Sequence, residues 1–504
     1  MVQAKFLTQC RKTFTGQADL GMVGALLAFA AVILIGLFLG KMIVTTPGQM
    51  PLLLLVATVM FVVTFLKADV ALIFLIIAML LSPEVSIGSV PKREIVIRIE
   101  DILIIVMGMA WCARSAVRKG MEVFPRTPLN LWIAIYCACF LVATSQGIIA
   151  GQVNPTKASF YVLKYLEYFI IFFIVSSATY RKEHYRMYLV AFFLTFMVVN
   201  VFAASQIGHV DRVSAPFEGT KGEPNTLGGY QVLMMCVAAG LFCHLRSWRL
   251  RLLMAGIIFF TFWPFMHTLS RASYVASAPA FLALIVYNRS RRRGTLIMAA
   301  CVLVLLGAFF LPDSVKDRVM YTFNARPQAD ITPVKFLGYQ LDPSASARWW
   351  DWWSAVDYWR EQPFFGYGLT AKAFLDSQYV NNLVETGAAG FLAFAMVIWM
   401  LHRSVARIYR TADDDVVRGL ALGFLAGNVG ILVHALTANT FILIRVMEPY
   451  WFMAAMILAW PRIAEGLEAV NEPPEPALAG RRRNIDMLLR DSGGGPGKGG
   501  TDAT

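Results

Sequence analysis

The stretch MPLLLLVATVMFVVTFL, residues 50–66, contains no charged side chain. As a helix it is nearly long enough to cross a hydrocarbon layer about 30 Å thick. Similar apolar runs lie at 22–40 and 296–311. The chain is 58% hydrophobic and only 15% charged, whereas a soluble protein carries about 25% charged residues. The sequence therefore predicts an all-α polytopic membrane bundle.

Apolar runs of this kind recur along the chain and predict about 12–14 transmembrane helices. The first run is interpreted as a retained span rather than a cleaved signal, because it is long and no cleavage site follows it. The predicted spans centre near residues 22–40, 50–66, 69–82, 101–113, 129–149, 158–178, 187–205, 226–243, 252–269, 272–288, 295–311, 387–402, 418–436 and 447–460.

The apolar pattern divides the chain into four parts. Residues 1–311 are predicted to form an N-terminal transmembrane bundle, and 387–462 the C-terminal transmembrane helices. Between them, 312–386 is predicted to be one large loop with short helices, facing the periplasm. The last part, 463–504, is rich in Pro, Gly and charge and is predicted to be a disordered cytoplasmic tail.

Basic residues indicate which side of the membrane each connection faces. In the fourteen-span topology, Lys and Arg concentrate on one side, at 114–126, 181–186, 246–251, 289–293 and 403–410. Short cytoplasmic loops carry such an excess of positive charge, so both termini are predicted to be cytoplasmic. The net charge of +13 is explained by this bias and the basic tail, and no nucleic-acid partner is expected.

The seven cysteines give no sign of a disulfide framework or a metal site. They lie in or beside predicted spans or near the N-terminus, and none falls in the large loop. Their spacing matches no metal-ligand motif. The sequence therefore predicts neither a metal nor a cofactor.

The segment 211–230 is the first outward-facing region that could carry chemistry. Gly and Pro bend it, and Asn225 lies where a helix is expected to begin, which suits an N-cap. The amides of a helix start attract anions, and Arg212 and Lys221 would reinforce this attraction. A plain Gly/Pro turn that re-enters the bilayer is an equal alternative.

Ser270 and Arg271 stand between two apolar runs with almost no loop. An arginine this close to hydrocarbon is unfavourable unless it is paired or functional, and the positive-inside bias also disfavours one on this face. Arg271 is therefore a candidate site residue. Snorkelling to the membrane interface is the alternative.

The large loop supplies the remaining candidates. Four tryptophans surround Arg348, and of these Trp349 and Trp352 are candidate platforms for sugar rings. The planar guanidinium of Arg348 could bind phosphate. Asp376 is a lone carboxylate in a polar setting before the next span. The alternatives are an interfacial aromatic belt for the tryptophans and simple solvation for the aspartate.

Taken together, these segments resemble the bacterial O-antigen ligase and O-antigen polymerase (Wzy) family. The resemblance covers roughly residues 90–460, in the order the family shows. Its pieces are Ile97-Arg-Ile-Glu-Asp101, Lys164-Tyr-Leu-Glu-Tyr168, Gly219-Thr-Lys-Gly-Glu-Pro-Asn225, Ser270-Arg271, Ser346-Ala-Arg348, Pro363-Phe-Phe-Gly-Tyr-Gly-Leu369 and Glu385-Thr-Gly387.

The resemblance implies a GT-C-like, metal-independent, inverting glycosyltransferase of the bacterial inner membrane. Its donor would be an oligosaccharide carried on undecaprenyl pyrophosphate in the lipid of the membrane. Flippase and chain-length-regulator proteins would be its protein partners. Arginines hold the pyrophosphate in this family, which points to Arg212, Arg271 and Arg348 here. The ligase branch has a His-Asn pair shortly before the following span, where this chain has Asp376 and Ser377.

This departure favours a polymerase that makes O-antigen or exopolysaccharide, with Asp376 as the general base. A ligase that transfers glycan to a lipid or protein acceptor is the alternative enzyme. A transporter or flippase of a lipid-linked sugar or small anion is the alternative of another class, because buried arginines and broken helices serve transport equally well. The large asymmetric loop argues against a carrier.

Overall fold

The computed structural model describes residues 50–82, 84–90, 93–117, 124–179, 181–218, 222–295, 313–321, 332–336, 338–372 and 375–471. It confirms the predicted all-α membrane bundle with one large loop. The helices are α1 (Met50–Leu66), α2 (Ala68–Leu81), α3 (Ile99–Val117), α4 (Asn130–Ile149), α5 (Pro155–Ala178), α6 (Lys182–Ser205), α7 (Pro224–His244), α8 (Trp248–His267), α9 (Arg271–Tyr287), α10 (Asp313–Met320), α11 (Pro343–Glu361), α12 (Gln378–Thr411), α13 (Asp415–His434) and α14 (Ile444–Asn471).

In the described part of the chain, seven helices are long and apolar enough to cross a membrane: α4, α5, α6, α7, α8, α12 and α13. Three shorter apolar helices accompany them, Leu55–Leu66, α2 and α9. The span predicted at 22–40 and almost all of that at 295–311 lie outside the described residues, as do Lys221 and the end of the chain after Asn471.

Two short hairpins interrupt the helical architecture. The strands β1 (Glu84–Val90) and β2 (Arg93–Arg98) pair antiparallel between α2 and α3, with Glu84 opposite Arg98. In the large loop, β3 (Lys335–Phe336) pairs with β4 (Tyr339–Gln340). The sequence predicted neither hairpin.

Two boundaries also differ from the prediction. Helix α12 begins at Gln378, inside the stretch assigned to the loop, and α14 continues to Asn471, beyond the predicted start of the tail. The first residues of that tail are thus helical.

Glycines bring α7 and α13 into backbone contact at the centre of the bundle. A Cβ atom added to Gly240 of α7 would lie 2.3 Å from the carbonyl oxygen of Gly419. One added to Gly423 of α13 would lie 2.4 Å from the Cα of Val237. Small residues such as glycine let the backbones of membrane helices approach closely, and the resulting van der Waals contacts stabilise the helix pair. The two helices therefore pack backbone against backbone.

The large loop is fastened to the bundle through a break in α12. Gly387 has φ 64° and ψ −169°, so the helical path is interrupted there. The amides of Ala388 and Ala389 donate hydrogen bonds to the carbonyls of Pro363 (2.8 Å) and Phe364 (3.1 Å). In return, the amide of Tyr367 donates a hydrogen bond to the carbonyl of Val384 at 3.0 Å.

This interlock also reaches α4. A Cβ atom on Gly147 of α4 would lie 2.2 Å from the carbonyl oxygen of Tyr367, and one on Gly366 would lie 2.4 Å from that of Val384. The segment from Pro363 to Gly368 is therefore wedged between α4 and α12. We call the end of the bundle at which it sits the loop side.

The contact between α7 and α13 predicts a loss of stability on Gly423→Ala. The added methyl meets the backbone of α7, and overpacking of this kind destabilises by about 1–3 kcal/mol. The matched control is Gly256→Ala on α8, where a Cβ meets open space and alanine is a better helix former than glycine. Thermal unfolding in detergent should show a lower Tm for Gly423→Ala alone. An equal Tm for both variants would contradict the close approach.

Candidate active site

An ion pair between Arg271 and Asp342 joins the starts of two helices on the loop side. Arg271 is the first residue of α9, and Asp342 is the N-cap of α11. Nη1 of Arg271 lies 2.7 Å from Oδ2 of Asp342, and Nη2 lies 3.0 Å from Oδ1. Two parallel bonds of this kind are the strongest arrangement an arginine and a carboxylate can adopt. The pair therefore fixes α11 against α9.

The Asp342 carboxylate is almost fully buried, with 1% of its surface exposed. Burial alone would raise its pKa, but the hydrogen bonds and charge of Arg271 outweigh burial, and the amides at the start of α11 add to them, so the pKa lies below its usual value. Oδ1 of Asp342 accepts from the Ser344 amide at 3.1 Å. Asp342 is thus ionised at neutral pH.

Arg348 and Asp376 face each other beside this pair. Nε of Arg348 lies 3.9 Å from Oδ2 of Asp376, which is within reach of an ion pair but too long for a hydrogen bond. The Nε atom has no hydrogen-bond partner among the described residues. Asp376 is 56% exposed and Arg348 is 23% exposed. The site thus holds an unused guanidinium donor beside an accessible carboxylate.

Arg348 also lies close enough to Arg271 for their charges to interact. Burial lowers the pKa of Arg348, the charge of Asp376 opposes this effect, and Arg271 adds to it. An arginine remains protonated at neutral pH even so. Asp342 and Asp376 compensate part of the positive charge of the two guanidinium groups, and Nε of Arg348 still has no acceptor among the described residues. The arrangement is suited to a phosphate or pyrophosphate.

The segment before α7 departs from the prediction. Pro224 is the first residue of α7 and Glu223 is its N-cap, so the prediction that Asn225 caps the helix is wrong. The amides of Glu223 and Ala215 donate to Oε2 of the buried Glu218, at 2.8 and 3.1 Å. A carboxylate therefore already occupies this turn, which makes it a poor place for a second anion.

Arg212 and Asn225 nonetheless reach the same side as Arg271. Nη2 of Arg212 donates to Oδ1 of Asn225 at 3.3 Å, and Nε donates to the Thr268 carbonyl at 3.0 Å. The hydroxyl of Ser270 donates to the same Asn225 oxygen at 2.8 Å. Since Ser270 directly precedes Arg271, these contacts link the α7 start to the ion pair. Lys221 lies outside the described residues.

The tryptophans form an exposed aromatic face on α11. Trp349, Trp350, Trp352 and Trp353 are between 40% and 55% exposed. The rings of Trp349 and Trp353 lie 6.5 Å apart, and Nε1 of Trp350 donates to the Thr332 carbonyl at 3.0 Å. Arg348 lies on the same helix. The exposed rings suit both roles expected from the sequence, which are platforms for sugar rings and an interfacial aromatic belt.

Two residues of this region were missed in the sequence. Asp342 had a readable signal, since an aspartate directly before a proline is typical of an N-cap followed by the first helical residue. His434, the last residue of α13, is buried, with Nδ1 2.8 Å from the Thr440 hydroxyl oxygen. Its ring lies 3.4 Å from the position of a Cβ on Gly229 of α7. Nothing local in the sequence marks it.

The geometry brings together Arg271, Arg348 and Asp376, and connects Arg212 and Asn225 to them through Ser270. Chemically, such a group can bind an anion and accept a proton. In the described part of the chain, the acidic group with metal-ligand geometry is Glu100, Asp101 and Glu448, and it includes neither Asp342 nor Asp376.

No curated protein sequence matches the chain. Residues 256–395 match the family model described as O-antigen ligase (Wzy_C). The matched stretch runs from α8 to α12 and contains Arg271, Asp342, Arg348 and Asp376, whereas Arg212, Asn225 and His434 lie outside it. The match confirms, over residues 256–395, the predicted resemblance of this multi-pass membrane chain to the O-antigen ligase and polymerase family.

Proposed function

We propose that the protein is a membrane glycosyltransferase that polymerises oligosaccharide repeat units carried on undecaprenyl pyrophosphate. The observation that supports this proposal best is the pair formed by Arg348 and Asp376 at the edge of the bundle. It combines an anion-binding group and a proton acceptor, and it lies inside the stretch that matches the O-antigen ligase family. The product would be O-antigen or an exopolysaccharide.

Arg348 is the proposed ligand of the donor pyrophosphate, because its Nε has no hydrogen-bond partner among the described residues and 23% of its side-chain surface is exposed. Arg271 contributes positive charge nearby, but Nη1 and Nη2 of its guanidinium both donate to Asp342. Arg212 uses two donors to hold Thr268 and Asn225. Its proposed role, with Asn225, is therefore to shape the donor pocket. Trp349 and Trp352 would support sugar rings through their apolar faces.

The transfer step places Asp376 beside the acceptor hydroxyl. The acceptor oxygen attacks the anomeric carbon as its proton passes to the Asp376 carboxylate. The bond between the anomeric carbon and the phosphate oxygen breaks, and the electron pair leaves with undecaprenyl pyrophosphate. Arg348 stabilises the negative charge that develops on that oxygen. A single displacement inverts the anomeric centre and requires no metal ion.

A ligase is the second candidate, because the matching family model is itself described as O-antigen ligase. The donor and the bond broken would be the same, and the acceptor would be a lipid or a protein. The substitution of Asp376-Ser377 for the ligase-type His-Asn pair favours polymerisation. Either reaction is group transfer, which the family match favours over transport.

The proposed setting is the bacterial inner membrane. The loop side would face the periplasm and both termini the cytoplasm, as the distribution of basic residues indicates. Substrate would then arrive from a flippase, and chain-length regulators would act on the growing polymer.

The proposed base predicts that Asp376→Asn loses activity while the protein still folds. Removal of a general base slows transfer by about 10²–10⁴-fold. The assay is elongation of a lipid-linked oligosaccharide by the purified full-length protein in detergent, without any ion gradient, read as a ladder on a gel. Asp357→Asn is the matched control, because Asp357 lies on α11 and is 73% exposed.

A full ladder from Asp376→Asn would remove Asp376 from the reaction. If the wild type makes no ladder but attaches the whole glycan to an added lipid or peptide acceptor, the protein is a ligase. In proteoliposomes, movement of the intact lipid-linked sugar between leaflets, with no new glycosidic bond, would overturn glycosyl transfer.

The ion pair predicts a coupled effect of Arg271→Gln and Asp342→Asn. If Arg271 acts by holding α11 through Asp342, each single variant and the double variant should lose similar activity, because the three changes break one contact. The measurement is kcat and KM for the donor in all four proteins of the cycle. A rise in donor KM that is specific to Arg271→Gln would show instead that Arg271 binds the pyrophosphate directly.

A further inference from the structure

A second polar cluster lies where α3 and α14 begin, on the loop side of the bundle. It contains four carboxylates, from Glu100, Asp101, Glu167 and Glu448, and two basic side chains, from Arg98 and Lys164. These residues come from three helices and the end of β2. None of them is used in the proposed transfer reaction.

The basic side chains engage only part of this acidic group. Nζ of Lys164 contacts Oδ1 of Asp101 and lies 3.4 Å from Oε2 of Glu167. Nη1 of Arg98 lies 3.5 Å from Oε1 of Glu100, and the Arg98 amide donates to Oδ2 of Asp101 at 2.9 Å. Asp101 and Glu167 are therefore held by Lys164, whereas Glu100 has a weaker ion pair with Arg98 and a hydrogen bond with the Ser82 side chain.

Glu448 projects into this cluster from a different helix, α14. It is 0% exposed. Its carboxylate lies within hydrogen-bond distance of the Glu167 carboxylate, and no N–H or O–H donor among the described residues reaches either of its oxygens. Oxygens from Glu448, Glu100 and Asp101 all lie within 4.8 Å of one another. A fully buried carboxylate that lacks such a donor and points at two others is very unfavourable unless a cation or protons compensate it.

Counted as ionised groups, the described side chains of the cluster do not balance in charge. Four carboxylates against one guanidinium and one ammonium leave two negative charges in a buried space. A single divalent cation would neutralise them. Oxygen ligands alone suit the hard cations, and Ca²⁺ accepts several carboxylates, each through one or two oxygens, in irregular geometry.

We propose that Glu100, Asp101 and Glu448 bind a structural divalent cation, with Ca²⁺ preferred over Mg²⁺. Mg²⁺ requires near-ideal octahedral geometry and gives up its water reluctantly, which a buried group of three carboxylates from two helices does not favour. The cation would cross-link α3 and α14. It takes no part in glycosyl transfer, and the proposal does not rest on the proposed function.

The neighbouring contacts indicate what such a cross-link would stabilise. Arg445, one helical turn before Glu448, donates to the carbonyls of Leu80 (2.8 Å) and Pro216 (2.6 Å). It also donates to Phe217 at 3.1 Å. Arg445 therefore joins the start of α14 to the end of α2 and to the segment that precedes α7. A bound cation would fix α3 to the same point.

The test uses the full-length protein in detergent, treated with EGTA and dialysed against CaCl₂ or MgCl₂. Elemental analysis should find about one Ca²⁺ per chain, and Tm should rise with CaCl₂ concentration as expected for a ligand that binds only the folded state. Glu448→Gln should lose both the bound ion and the Tm response. Glu465→Gln, an exposed change on the same helix, should retain both.

Wild-type protein that binds no divalent cation and shows no Tm response would overturn the proposal, whether or not the variants fold. An increase in Tm for Glu448→Gln in the presence of EGTA, with wild type indifferent to CaCl₂, would show that the cluster is compensated by shared protons. Equal Ca²⁺ binding by Glu448→Gln and wild type would place any bound ion elsewhere.

Discussion

The position of the large loop depends on the bidentate contact between Arg271 and Asp342. Asp342 begins α11, so this contact sets where the helix starts and, six residues later, where Arg348 lies. The buried carboxylate cannot be left without its partner, because an isolated buried charge is far less stable than a paired one. An arginine at the hydrocarbon boundary is thus explained by its partner as well as by any substrate.

A second constraint holds the other end of the loop. The segment from Pro363 to Gly368 exchanges backbone hydrogen bonds with α12 on both sides of Gly387 and touches α4 through Gly147. Asp376 lies between this interlock and the start of α12, and Arg348 lies on the helix that precedes it. The two facing side chains are therefore fixed from opposite ends of the same loop.

Features set by local sequence could be predicted. The span expected at 226–243 is observed as Pro224–His244, because a long uninterrupted apolar run leaves little choice. The error at Asn225 was avoidable, since Pro224 favours the first helical position and shifts the cap to the residue before it. The hairpin at Glu84–Arg98 is short and lies between long apolar runs, so its alternation gave a weak signal.

Pairings between distant residues could not be predicted. Arg271 and Arg348 stood out as unusual residues. Nothing in the local sequence indicated that the guanidinium of Arg271 would bind Asp342, or that Arg348 would face Asp376. Glu448 met Glu100 and Asp101 only after the helices packed, so no ligand spacing is visible along the chain. His434 became part of the region through the close approach of α7 and α13.

The break at Gly387 has a consequence for biosynthesis. After the break, residues 388–411 of α12 form a helix about 36 Å long at 1.5 Å per residue, which is enough to cross a bilayer core. After the break, the first amides of its membrane-crossing part are bonded to carbonyls of the preceding loop rather than to an N-cap side chain. Both the loop segment and α4 leave the ribosome before Gly387 does. Every partner that shapes this turn is therefore already synthesised when the turn forms.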